Sequence, residues 1–302
     1  MKQITTHLWF DKEAKEAAEF YVATFGGDSR IETVKTLEGT PSGSVDMVSF
    51  RVLDHSFQAI SAGPYFKLNP SISFMVNFDP SQDPAARAKI DQIWAALMEG
   101  GKALMPLDTY PFSERYGWVE DKYGVSWQLI LTKPEGEERP LILPSLLFAG
   151  AVYGKAEEAS DFYLSVFKDD SRRGMLARYG VGHEPDTAEA LMFTDFKLSG
   201  TWFVAMDSAY EHKFSFNEAV SFLVSCDTQE EIDYYWTKLS AVPEAEQCGW
   251  LKDKYGVSWQ VVPSAMERMM REGSPEQMAR VTQAFLQMKK FDLATLEAAY
   301  RG

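Results

Sequence analysis

The side chains best suited to chemistry in this chain come in matched pairs. Asp121 and Asp253 each open an Asp-Lys-Tyr-Gly stretch, and Gln128 and Gln260 follow shortly after. Either aspartate could serve as a general base. The same composition also makes a tight turn, in which the carboxylate hydrogen-bonds its own backbone, and we read both as turn residues. Strand alternation puts Gln128 with Ser126, and Gln260 with Ser258, on one face. Trp127 and Trp259 take the opposite face, under helices. Buried amides and hydroxyls need partners, so the Gln and Ser positions are the better candidates for binding. His7 shares a strand face with Thr5 and Trp9. No phosphate-binding loop, GxSxG or HExxH pattern occurs. Cys226 and Cys248 lack the spacing of a zinc site and read as reduced thiols. No residue is assigned a catalytic role.

These pairs arise from a duplication. Gly117 to Gln128 reads GWVEDKYGVSWQ and Gly249 to Gln260 reads GWLKDKYGVSWQ, identical at ten of twelve positions with an offset of 132. Upstream, Glu16 to Tyr21 pairs with Glu158 to Tyr163, Asp28-Ser29-Arg30 with Asp170-Ser171-Arg172, and Ser73 to Val76 with Ser221 to Val224. The upstream offset drifts between 138 and 148, so loops changed length while the elements kept their order. The seam is the polar stretch Lys133 to Pro140, bracketed by prolines. We expect a first domain over 1–133, a linker over 134–140, a second domain over 141–264 and a helical extension over 265–302.

Within the first copy the apolar period switches between strand and helix. Ile4 to Phe10 alternates; Lys12 to Phe25 carries a helical stripe stopped by Gly26-Gly27; strand-like runs follow near Ser29–Leu37, Asp46–Leu53 and Phe57–Ala62. The order repeats with a strand at Ser71–Phe78, a helix at Pro84–Met98 and strands near Ala103–Asp108, Trp118–Glu120 and Ser126–Leu131. Each copy is therefore two βαβββ modules, an α+β fold. The second copy replaces the hairpin-like Met105–Tyr116 with the shorter Val242–Gln247. In the extension, Ser274 and Pro275 announce a helix N-terminus. Its methionine stripe reads as core or docking surface.

The 302 residues suit two domains, and 45% apolar content supports a core in each without metal or disulfide. A net charge of −14 disfavours nucleic acid and anionic membrane as partners. No apolar run approaches the ~20 residues of a membrane span. The start Met1-Lys2-Gln3-Ile4 carries no signal-peptide pattern, and we expect a cytoplasmic protein. The two copies should form a pseudo-dimer within the chain, and self-association beyond that is left open.

Paired βαβββ modules resemble the vicinal oxygen chelate superfamily, which includes glyoxalase I, extradiol dioxygenases and bleomycin-resistance proteins. The closer resemblance is to its PhnB-like branch. The residues that carry it are an acidic-Ala-x-x-Phe-Tyr helix (Glu16–Gly26, Glu158–Phe167) and the Gly-Trp-x-x-Asp-x-x-Gly-Val-x-Trp-Gln segments (Gly117–Gln128, Gly249–Gln260). It covers nearly the whole chain, and the tail Arg280–Lys290 is similar to a helical extension found after this domain.

In metal-using relatives, four cavity-facing ligands, chiefly His and Glu, come from the first, fourth, fifth and eighth strands. Carried onto this chain, those positions fall at His7, Gln58, Ser73 and Gln128 in the first copy and at Ser145, Val204, Ser221 and Gln260 in the second. Sets mixed between copies also occur in the superfamily. No combination here has more than one His or any carboxylate, and neutral amides and hydroxyls bind transition metals weakly. The expectation is a binder of an apolar or mixed small molecule with no metal and no cofactor. Its cavity residues would be His7, Trp9, Gln58, Ser73, Met75, Ser126, Gln128, Ser145, Ser221, Ser258 and Gln260. The alternatives are a metal-dependent lyase, isomerase or dioxygenase, which would bind a divalent metal, and a protein in which one copy is chiefly a structural partner in cis. Some relatives bear a demethylubiquinone methyltransferase name. Methyl transfer is not expected here, because Gly26-Gly27 and Gly100-Gly101 follow helices as caps and do not form a nucleotide-binding turn.

Overall fold

The computed structural model describes residues 4–40, 42–133 and 138–302. Residues 134–137 of the expected linker, and the first three of the chain, lie outside the described residues.

Four modules follow one another. The first is β1 (Thr5–Phe10), α1 (Ala14–Phe25), β2 (Arg30–Thr40), β3 (Gly43–Val52) and β4 (His55–Ser61). The second is β5 (Ile72–Phe78), α2 (Ala86–Met98), β6 (Lys102–Tyr110), β7 (Ser113–Glu120) and β8 (Ser126–Leu131). The third is β9 (Ile142–Ala149), α3 (Ala156–Val166), β10 (Arg172–Arg178), β11 (Leu191–Leu198) and β12 (Thr201–Ser208). The fourth is one strand shorter: β13 (Val220–Cys226), α4 (Gln229–Leu239), β14 (Trp250–Lys252) and β15 (Ser258–Pro263), with a 3-10 turn at Pro243–Ala245 where the second module has β6. Three helices close the chain: α5 (Ser264–Glu272), α6 (Pro275–Phe285) and α7 (Leu293–Arg301). No helix among the described residues is long and apolar enough to cross a membrane.

Local sequence explains the helices. In α1 the buried residues are Ala14, Ala17, Ala18, Tyr21 and Phe25, one stripe at helical spacing. Its alanines bring the helix close to the sheet, and Gly26, at φ +60, ends it. In α6, Ser274 accepts a hydrogen bond from the Gln277 amide while Gln277 accepts one from the Ser274 amide, a reciprocal cap.

The sheets do not follow the copies. A seven-stranded sheet runs β14-β15-β13-β1-β4-β3-β2 and joins the first module to the fourth. An eight-stranded sheet runs β10-β11-β12-β9-β5-β8-β7-β6 and joins the second to the third. The seams are two antiparallel pairs, β1 with β13 and β5 with β9. The buried apolar residues of both copies form one continuous core, within which each copy has its own aromatic cluster. Trp127 is fully buried against Tyr21, Phe25, Phe57 and Phe74, so the first copy's aromatic cluster spans both sheets. Trp259 repeats this with Tyr163, Phe167 and Phe222. Strand pairing and a shared apolar core join the two copies, while the tryptophan-centred aromatic clusters join the modules within each.

The tail lies over the concave side of the seven-stranded sheet. Met269, Val281, Phe285, Phe291 and Leu296 form one cluster with Leu37, Val45 and Ala62, and Trp9, Met47, Ile60 and Val262 pack against it. The polar ties concentrate at 286–293. Cys248 and Gly249 donate their amides to the Met288 and Lys289 carbonyls at 2.8 and 2.7 Å. Leu293 donates to Gln229 at 2.8 Å, and Lys290 pairs with Asp233. A Cβ on Gly249 would sit 2.5 Å from the Phe291 ring, so only glycine admits this docking.

Candidate functional site

Alternation along each strand fixes which side chains face each concavity. On the seven-stranded sheet one lateral row runs Gln58, His7, Ser221, Ser258, in register across β4, β1, β13 and β15. On the eight-stranded sheet the matching row runs Val204, Ser145 and Ser73 across β12, β9 and β5. Ser126 continues it on β8. The structure therefore corrects the copy-by-copy grouping of candidates. His7 and Gln58 of the first copy stand with Ser221, Ser258 and Gln260 of the second. Ser73, Met75, Ser126 and Gln128 stand with Ser145 and Val204. The reason is the β1–β13 and β5–β9 pairing, which exchanges modules between copies.

The two faces differ in how their polar groups are satisfied. On the eight-stranded face, Gln128 is a hub: its Nε2 donates to Ser73 Oγ at 2.6 Å and Ser145 Oγ at 3.4 Å, and its Oε1 accepts from the Tyr116 hydroxyl at 2.8 Å. Trp118 Nε1 donates to Ser126 Oγ at 2.7 Å. Around this network Met75, Leu143, Trp202 and Val204 are buried, with Ile130, Phe193 and Met206 against them. Arg139 stacks over Trp202 with its guanidinium carbon 3.9 Å from the ring centroid and pairs with Asp195 at 2.6 Å.

On the seven-stranded face, Gln260 donates to Ser221 Oγ at 3.0 Å. His7 Nδ1 and Ser258 Oγ are buried and make no hydrogen bond. Trp250, the counterpart of Trp118, does not reach Ser258. Its ring stands edge-on to His7 at 5.3 Å and to Trp9 at 6.0 Å. Burial holds His7 neutral, its pKa pushed down to about 3. Trp9 is anchored by its Nε1 donating to the Gly63 carbonyl at 2.8 Å.

Asp121 and Asp253 are turn residues, as their sequence suggests, and buried ones. Asp121 Oδ1 accepts from the amides of Tyr123 and Val125, and its Oδ2 from Trp127 Nε1 at 2.9 Å. Asp253 repeats all three contacts and adds the Tyr163 hydroxyl at 2.8 Å. In the first copy the Tyr21 hydroxyl faces Asp121 outside hydrogen-bonding geometry. Burial raises both carboxyls to about 6. Both lie on the helix side of the sheets, away from the concavities.

Sequence reasoning missed Tyr116, Trp118 and Trp250. Tyr116 sits on β7 opposite Ile130, two positions from Gln128 on the same face, so strand alternation could have found it. Two surface clefts, of about 310 and 230 Å³, lie elsewhere, sharing Lys67, Leu68 and Tyr123. Of the candidates, Trp9 alone borders either.

The positions that metal-using relatives fill with ligands hold neutral side chains here. One imidazole, two amides and a hydroxyl occupy the first set, and an amide, two hydroxyls and an isopropyl group the second. Both ends of the Gln128 amide are already engaged, and no carboxylate is present. No cluster of three or more His, Cys, Asp or Glu able to hold an ion occurs among the described residues.

Two sheets built from βαβββ modules, concave on one side and helix-covered on the other, define a vicinal oxygen chelate fold. Glyoxalase I from Zea mays shares it, with a TM-score of 0.54 over 89% of this chain and 96% of its own, at 10% identity. The chain belongs to the family described as 3-demethylubiquinone-9 3-methyltransferase, whose profile matches twice, at residues 2–130 and 140–262. A putative 3-demethylubiquinone-9 3-methyltransferase, PhnB protein, from Bacillus cereus is 32% identical over 43% of this chain and all of its own (TM-score 0.38). Protein PA1353 from Pseudomonas aeruginosa is 22% identical over 42% of this chain and 95% of its own (TM-score 0.36). No curated protein matches the chain.

Proposed function

We propose that this protein binds a small, largely apolar molecule on its concave sheet faces without a resident metal. The observation that carries the reading is the chemistry of the two rows. At the positions where metal-using relatives place His and Glu, this chain places neutral amides, hydroxyls and one neutral imidazole, set among methionine and aromatic side chains. Such a surface suits a ligand held by apolar contact and oriented by a few polar groups. The −14 charge favours a neutral or cationic molecule over nucleic acid, and a cytoplasmic setting fits the two free thiols.

The family description speaks of methyl transfer, and relatives of this fold include metal enzymes. Neither chemistry is supported by the residues present. The turn after β1 reads Asp11-Lys12-Glu13 before α1 and has none of the glycines of a nucleotide-binding turn. As for a structural-partner role, each concave face draws residues from both copies, so each copy completes the other.

A thermal-shift screen tests the reading. Neutral aromatic and terpenoid-like compounds should raise the melting temperature, and Trp9→Ala or Gln128→Ala should weaken that response. Divalent zinc, nickel, iron or manganese should give no rise. A saturable metal-induced rise, with about one ion per chain by elemental analysis, would instead establish the metalloenzyme alternative.

A further inference from the structure

The tail and the unsatisfied polar atoms are on the same side of the same sheet. Between Ser264 and Phe285, three polar contacts tie the tail to the rest of the chain among the described residues. Ser264 donates to Asp227, Lys35 to the Met270 carbonyl, and the Cys248 thiol to the Phe285 carbonyl. Everything else there is apolar contact, much of it through Met266, Met269 and Met270 against Trp9, Met47 and Ile60. Methionine is flexible and fits more than one irregular surface. Helices of nine and eleven residues are marginal without a surface to lie on. The segment is also held at both ends, by Pro263 leaving β15 and by the amide and ion-pair ties at 286–293. Such a strap can lift without detaching.

On the same face, in the lateral row next to that of Trp9, His7 Nδ1 and Ser258 Oγ are buried without partners. A fully evolved lid would have satisfied them, since each unmade bond costs ~1–3 kcal/mol. Their counterparts on the eight-stranded face, Ser145 and Ser126, are hydrogen-bonded. The tail thus supplies the apolar half of what this face would bind and lacks the polar half.

We propose that α5 and α6 occupy the concave face of the seven-stranded sheet as a displaceable internal ligand. Once lifted, that face takes a flat, neutral, mainly apolar molecule whose single hydroxyl or amide bonds the unpartnered Ser258 Oγ, with His7 beside it in the same row. Trp9 and Trp250 form the walls that contact its rings. This rests on the small-molecule reading and adds the ligand class and the gate.

The test uses the full chain and 2-naphthol, with naphthalene as the partner lacking the hydroxyl. Met269→Ala, and separately the milder Met266→Ala, should raise 2-naphthol affinity about tenfold by loosening the strap. Saturating 2-naphthol should speed amide exchange in α5 and α6 while residues 286–293 stay protected. Ser258→Ala should lower 2-naphthol affinity several-fold and leave naphthalene unchanged. Binding that is equally tight in parent and strap variants, with α5 and α6 still protected, would overturn the gate and leave the small-molecule reading standing. No binding of either compound to any variant would overturn both for this face.

Discussion

The two concave faces grew from the same repeat and reached opposite solutions. The eight-stranded face closes its polar groups on one another, with Gln128 bonded on both sides and Trp118 bonded to Ser126. The seven-stranded face leaves His7 Nδ1 and Ser258 Oγ open and covers itself with helices. One substitution accounts for much of the difference. Where the eight-stranded face has Ser145, the other has His7, whose ring meets Trp250 edge-on. In the other face the same tryptophan is free to reach its serine. A nearly identical sequence motif thus ends in two different contacts because of what stands across the sheet.

The comparison can be broken at several points. The largest effect should come from the buried turn carboxylates. Asp253→Ala strands the Trp259 and Tyr163 donors and two amides, and should cost ~4 kcal/mol in denaturant unfolding. Asp121→Ala should cost somewhat less, because Tyr21 meets Asp121 in poorer hydrogen-bond geometry than Tyr163 meets Asp253.

Acid should separate the sheets next. His7 and His55 both lie in the seven-stranded sheet, and burial pushes each down to about 3. The unfolded chain, titrating near 6.5, binds more protons than the folded one between those values, so stability falls as pH drops from 6.5 toward 3. Asp121 and Asp253 act with the opposite sign. Their raised carboxyls contribute stability that is present below about 4 and lost as pH rises through about 6. One such aspartate serves each sheet, so the difference between sheets comes from the histidines. Amide exchange at pH 4.5 against pH 7 should show β1 and β4 losing more protection than β5 and β9. Equal loss in both sheets would contradict this.

Gln128→Ala should cost ~2–3 kcal/mol and Gln260→Ala ~1 kcal/mol, tracking three hydrogen bonds against one. The smallest and sharpest contrast is in the serines. Ser126→Ala strands the Trp118 indole and should cost ~1–1.5 kcal/mol, while Ser258→Ala removes a buried hydroxyl that has no partner and should leave the protein as stable as the parent or up to ~1 kcal/mol more stable. A Ser258→Ala loss matching that of Ser126→Ala would mean that the two faces are not distinct in this respect.

Much of this was legible in the sequence. The two-residue period put His7 and Trp9 on one face and Trp127 and Trp259 on the other, because burial on both sides of a strand fixes which residues point where. The helix N-terminus at Ser274-Pro275 was legible for the same kind of local reason. The pairing of modules was not. β1 and β9 begin equivalent copies, and either β5 or β13 could present a suitable antiparallel edge to β1. The choice is made by three-dimensional closure, which no local pattern records. The methionine stripe announced an apolar helix face without naming its partner, since methionine fits many surfaces. Tyr116 was missed because its role depends on a neighbouring strand.

The exchange of modules also has a consequence in time. His7 of β1 pairs with Ser221 of β13, which emerges 214 residues later. At ordinary rates of synthesis, ~5–20 residues per second, the first strand waits ~10–40 s before its partner exists. During that interval one edge of the first module has unpaired amides and carbonyls. Pairings this distant make folding slow, and the nascent first copy is the stage at which another such chain could take the vacant edge. Chaperone dependence should therefore fall on the newborn chain rather than on the finished protein.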